Sequence, residues 1–118
     1  MFVETVLTRY DWHMARTDPV LQKFRSAITR LYGDRIERIV LFGSRARGDA
    51  KPDSDYDVAL FLRDLTDHWK EVGRIVELEI ALREVTDADI HTLPFPAGRW
   101  RDPASPLMYE IRKDGVDL

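Results

Sequence analysis

Asp53, Asp55 and Asp57 stand at alternate positions just ahead of and at the start of a short apolar run, residues 58–62. If that run is a strand, successive side chains point to opposite faces, so Asp55 and Asp57 share one face with their oxygens close together. Two carboxylates that close repel unless a cation lies between them, and hard oxygen donors suit Mg²⁺ or Mn²⁺. Upstream, Gly43-Ser44 leaves a second apolar run, residues 39–42, and Arg45 and Arg47 follow. A glycine at that point lets a phosphate approach the backbone and its N–H groups, while guanidinium groups grip phosphate oxygens in pairs. Mg²⁺ usually binds through one or two carboxylates plus substrate phosphates. The stretch 39–62 therefore suggests a metal–nucleotide site.

Other motifs fail on particular residues. The glycine spacing from Gly43 to Gly48 approaches a P-loop, but Asp49-Ala50 stands where lysine and then Ser/Thr are needed. The alternating aspartates resemble the start of a calcium loop, but Val58 occupies the place of the turn glycine. Arg47-Gly48-Asp49 spells an adhesion tripeptide that a chain without secretion features carries by chance. The bland alternative is a polar loop with solvated acids. For Arg45 and Arg47 it is a salt bridge to Asp49 or Asp53, and for Ser54 the role of capping the turn and orienting Asp55.

Gly43-Ser44-Arg45-Ala46-Arg47-Gly48, then Ser54-Asp55-Tyr56-Asp57 and an apolar strand, resembles the signature of the minimal nucleotidyltransferases of the DNA polymerase beta-like superfamily. The resemblance runs from about residue 17 to the C-terminus. It implies Mg²⁺ or Mn²⁺ on Asp55 and Asp57, with ATP or another NTP bound across Gly43, Ser44, Arg45 and Arg47. It also implies a third metal-binding and catalytic acid from the strand after the long helix. Asp89 is that choice, and Asp87, two residues away, is the alternative. Metal-assisted transfer uses such a group to hold an ion and help the attacking hydroxyl lose its proton. His91 is in register with Asp89, but like His13 and His68 it is expected at the surface or in packing.

The elements that must position these groups follow from pattern. Asp18-Pro19 is a helix start, and Val20, Leu21, Phe24, Ala27, Ile28 and Leu31 form its apolar stripe up to Gly33. Residues 36–42 form a first strand, Gly43 onward a connector with a single helical turn after Ser44, and Pro52-Asp53-Ser54 a turn into the second strand. A long helix is expected from Thr66 or Asp67 to about Glu84, burying Trp69, Val72, Ile75, Val76, Leu78, Ile80 and Leu82. Residues 88–93 make a third strand closed by Pro94-Phe95-Pro96, and Ser105-Pro106 caps a last helix stopped by Gly115. Trp100 is expected to cover a core edge. The order helix, strand, strand, helix, strand, helix predicts an α+β fold, a small mixed sheet with helices packed against it. Residues 1–17 read as an N-terminal extension, with Phe2, Val3, Val6, Leu7 and Tyr10 on one side of a short helix, and 18–118 as the nucleotidyltransferase domain.

Composition narrows the function. The 118 residues carry 18 basic and 21 acidic side chains, a net charge of −3, which argues against an extensive nucleic-acid surface and against polymerisation. There is no cysteine, so disulfides and thiolate metal sites are excluded, and the composition fits a reducing cytoplasm. No run reaches membrane-spanning length. The expected activity is nucleotidyl transfer. The resemblance implies an antitoxin that adenylylates a tyrosine of an all-helical HEPN-domain toxin, and residues 109–116 resemble the tail usual in that group. A small-molecule acceptor such as an aminoglycoside, or a non-catalytic nucleotide-binding or partner-masking module, are the alternatives. A homo-oligomer is a further candidate assembly.

Overall fold

The computed structural model describes residues 12–118, with side chains from Met14 onward; the expected helical face on residues 2–10 lies outside them. Helix α1 (Trp12–Thr17) leads into α2 (Pro19–Tyr32). Asp18 caps α2 through Oδ1, which accepts from the Val20 N–H at 2.8 Å, and Pro19 fills the first position, where a missing N–H forfeits nothing. Then come β1 (Ile36–Phe42), α3 (Gly43–Arg47), β2 (Tyr56–Leu62), α4 (His68–Thr86), β3 (Ile90–Pro96), α5 (Pro106–Asp114) and β4 (Val116–Asp117).

The sheet order is β3-β2-β1-β4, with β1 antiparallel to both its neighbours and β2 parallel to β3 across the α4 connection. The expected mixed sheet is present, with one strand more than the residues suggested. β4 is two residues long, too short for any periodic signal. It forms because the chain turns back tightly at Gly115, where an added Cβ would sit 2.5 Å from Val40 Cγ1 and against the Ile111 carbonyl.

Alternation divides the core. Ile39, Leu41, Tyr56, Val58, Leu60 and Ile90 cluster with Leu21, Phe24 and Ile28 of α2 and Ile75 and Leu82 of α4. Val40, Phe42, Ala59 and Phe61 cluster instead with Met108 and Ile111 of α5, and Phe95 and Trp100 pack on that edge. Asp57 belongs to this second side by register, opposite Phe42 on β1 and His91 on β3. Trp100 donates its ring N–H to Glu37 Oε1 at 3.2 Å, consistent with a cover over the core edge.

Two expectations are corrected. β3 continues through Pro94 and Pro96 rather than stopping before them. It is an edge strand, and the Thr92 N–H points away from β2 to Glu79 Oε2 at 2.6 Å. The two proline nitrogens share that outward parity, so no ladder bond is lost. In α4 the apolar residues do not form one buried side. Ile75 and Leu82 are buried and Leu78 packs beside them, but Trp69, Val76 and Ile80 are exposed. At about 100° per residue the set expected to be buried covers both sides of the helix. The buried stripe is completed by Glu71, which binds Arg35 at 2.9 Å, Arg74 at 3.2 Å and the Tyr32 hydroxyl at 3.2 Å. Burial pushes its carboxyl up, but the bonds from Arg35 and Tyr32 outweigh this and hold it low. This network ties α4 to α2.

Candidate active site

The first site element is the abrupt exit from β1. Gly43 has φ 76°, and an added Cβ would come within 2.5 Å of Asp57 Oδ2. Only glycine satisfies both the left-handed backbone and the close approach of the carboxylate. α3 is a single turn, closed where the Gly48 N–H meets the Ser44 carbonyl at 3.0 Å. The helical turn expected there is present, and it aims the Gly43–Ser44 backbone at the Asp57 end of the sheet.

Arg45 uses its donors on the connector. It donates to the Ser54 carbonyl at 2.8 Å and the Pro52 carbonyl at 3.2 Å, and its guanidinium lies 4.1 Å from the Tyr56 ring centroid. Tyr56 in turn donates its hydroxyl to Asp18 Oδ2 at 2.9 Å. Burial first, then that bond to Asp18, pushes the tyrosine up to about 12. The chain Asp18–Tyr56–Arg45–Ser54 thus fixes the backbone on either side of Asp55. Ser54 Oγ accepts from the Lys51 N–H at 2.8 Å, the turn-capping role expected of it. Arg47 pairs with Asp49 at 3.3 Å, both side chains exposed, and its charge also reaches Asp57.

Asp57 lies on β2 and Asp55 just ahead of it, near enough for the charge of Asp55 to act on Asp57. Asp57 is pushed above the usual carboxylate range by burial and by the charge of Asp55, against the opposing charges of His91 and Arg47. His91 Nε2 stands 3.3 Å from Asp55 Oδ2. His91 is exposed, as expected of a surface histidine, and its register with Asp89 also brings it beside Asp55. The parallel register that sets His91 beside Asp57 is a tertiary fact, and its parity with Asp89 was the only signal for it.

Asp89 adjoins the site through its backbone, its carbonyl accepting from the Tyr56 N–H at 2.9 Å, while its carboxylate is held by Arg83 at 2.8 Å. Asp87 is not on the strand: it caps α4 in a left-handed conformation, φ 60°. Among the described residues no three His, Cys, Asp or Glu side chains already converge as a metal cage. The pair Asp55–Asp57 still fits a hard divalent cation. It offers two carboxylates whose charges act on each other, a repulsion an ion between them would relieve, and phosphate oxygens complete such a shell. Beside α3, a groove of about 760 Å³ is lined by Arg47, Ser105, Tyr109, Glu110 and Lys113.

The profile of the nucleotidyltransferase domain matches residues 21–106, a stretch that includes Gly43, Ser44, Asp55, Asp57, Asp89 and His91. The chain belongs to the nucleotidyltransferase domain family. A Methanocaldococcus jannaschii protein named as a candidate protein adenylyltransferase is 32% identical over 59 residues, which cover 50% of this chain and 59% of that relative's length. Solved structures share the nucleotidyltransferase fold. A chain of a toxin–antitoxin complex with AMP-PNP aligns with TM-score 0.56 and 23% identity, over 81% of this chain and 69% of that one. A mutant MntA toxin–antitoxin complex gives 0.57 and 25%, over 82% and 69%. A tri-AMPylated Shewanella oneidensis HEPN toxin with its MNT antitoxin gives 0.50 and 21%, over 83% and 70%. This nucleotidyltransferase thus carries its Gly-Ser turn and paired aspartates at the same end of one sheet. Among its described residues no helix is long and apolar enough to cross a membrane.

Proposed function

We propose that this nucleotidyltransferase moves AMP from ATP to a hydroxyl of a partner protein, and that the partner is a HEPN-domain toxin it silences. The observation that carries the transfer reaction is the Asp55–Asp57 pair set against Gly43. The choice of a protein acceptor is supported by the adenylyltransferase-named relative and by the toxin–antitoxin neighbours.

In the proposed reaction the acceptor hydroxyl oxygen forms a bond to the α-phosphorus, the bond from that phosphorus to the bridging oxygen breaks, and pyrophosphate leaves. Asp55 and Asp57 would hold Mg²⁺ or Mn²⁺, which when bound supplies charge stabilisation on the phosphates. Gly43 and Ser44 take the triphosphate on backbone N–H groups, with Arg47 beside them. Arg45 keeps Asp55 in place through the Ser54 carbonyl. Asp89 leaves Arg83 to complete the acidic site and accept the hydroxyl proton. Catalysis of this kind rests on positioning and electrostatics.

The test is incubation of wild type and an Asp55→Ala/Asp57→Ala variant with Mg²⁺ and α-labelled ATP in a lysate of the native host. One labelled protein, formed by wild type alone, is the expected result. A labelled small molecule instead would make the acceptor an antibiotic-like compound. No label, with partner protection surviving in the variant, would make the protein a masking module.

A further inference from the structure

α4 carries a second apolar stripe that no described residue covers. Trp69, Gly73, Val76 and Ile80 fall on one line, roughly 160° around the helix from Glu71, Ile75, Leu78 and Leu82 at about 100° per residue. Trp69 is 78% exposed, Ile80 57% and Val76 43%. A Cβ added at Gly73 would meet nothing within 4 Å. Single exposed apolar residues are ordinary, but a tryptophan, a valine and an isoleucine in one line over three turns form a patch that asks for a partner.

Their 4-3-4 spacing is that of a helix–helix seam. We propose that this face docks on a second copy of the chain, with α4 lying antiparallel on α4 across a two-fold axis. In that register Trp69 meets Ile80 of the other copy, and the open space at Gly73 receives Val76. An in-register parallel pair would instead set glycine on glycine and leave a gap. Charge agrees with the antiparallel choice. Lys70 and Glu77 are exposed, flank the seam on the same side, and neither has an ion-pair partner among the described residues. The two-fold brings Lys70 of each copy beside Glu77 of the other, so one surface complements itself.

Among the described residues none packs over the patch. α1 packs on α2 and β4, and the buried face of α4 packs on α2 and β3. Asp57 lies by register on the side of the sheet away from α2 and α4, so the association leaves that side open. The proposal does not depend on which acceptor is modified.

The test is sedimentation velocity on the full chain across micromolar concentrations, with circular dichroism and melting as controls for folding. Wild type should form a dimer, and Val76→Glu should be a folded monomer. Lys70→Glu and Glu77→Lys should each weaken the dimer about tenfold, by setting like charges together, and the double variant should restore it. A wild type that stays monomeric overturns the proposal and assigns the stripe to a different partner. A dimer indifferent to Val76→Glu, or a double variant no better than the singles, places the contact elsewhere.

Discussion

His91 Nε2 lies 3.3 Å from Asp55 Oδ2, and the same histidine sits directly across the β2–β3 ladder from Asp57. The imidazole therefore occupies an oxygen that a divalent cation would need. Removing it frees that oxygen without touching the carboxylates, so His91→Ala should bind Mn²⁺ several-fold more tightly than wild type. Titration of free Mn²⁺ by electron paramagnetic resonance measures this directly, with no turnover involved. Weaker binding would show instead that His91 supports the ion.

Gly43→Ala should damage the site from the backbone outward. The new methyl meets Asp57 Oδ2 at 2.5 Å, and φ 76° is strained for any residue with a Cβ. We expect a loss of about 1–3 kcal/mol in stability by denaturant unfolding. Nucleotide transfer should fall well beyond what the lost stability explains, because Asp57 must move to make room. A variant with wild-type transfer would show that the contact is easily relieved.

Arg45 should behave as a positioning residue. Its donors are committed to the Ser54 and Pro52 carbonyls, so Arg45→Ala releases the connector that carries Asp55. The expected signature is a lower kcat with the KM for ATP nearly unchanged. A KM rise with kcat preserved would return Arg45 to direct triphosphate contact, the role its residue type suggested. Tyr56→Phe, which removes only the hydroxyl bound to Asp18, should destabilise by about 1 kcal/mol and leave KM alone.

Glu79 makes the stability depend on pH. Burial pushes its carboxyl above the ordinary range, and the Thr92 N–H bond pulls it part of the way back. A carboxyl raised by folding binds more protons in the folded than in the unfolded chain, so its contribution to stability falls as pH rises from the unfolded pKa through the folded one. Glu79→Gln keeps an oxygen for the Thr92 N–H and removes the titration. The melting temperature of the variant relative to wild type should therefore be more favourable near pH 7 than near pH 4. Parallel melts at the two values check the sign.

Asp55→Asn should abolish metal-dependent transfer while circular dichroism stays native, since the side chain lies at the sheet's open end. The expected loss is at least about a hundredfold, the scale for removing a group that stabilises charge at the reacting centre. Full activity in this variant would defeat the proposed site.

Much of the site was legible because its logic is local. The Gly43-Ser44 turn and the Asp18-Pro19 cap are properties of a few adjacent residues, and each appears where its type and spacing place it. The mixed sheet with packed helices also follows from the order of apolar periods. Chain partners were not legible. β4 exists only because Val116 and Asp117 find β1, and β3 tolerates Pro94 and Pro96 only because it lies at the sheet edge. Asp87 turned out to be a helix cap, and Arg45 a clamp on the loop that carries Asp55. α4 offers two apolar lines at helical spacing, and local pattern cannot say which one the sheet takes. That choice is made by packing against α2 and the Glu71 contacts, and the meeting of His91 with Asp55 by strand register, both relations between residues far apart in the chain. The sequence by itself determined the chemistry on offer; tertiary pairing decided which side chains stand beside it.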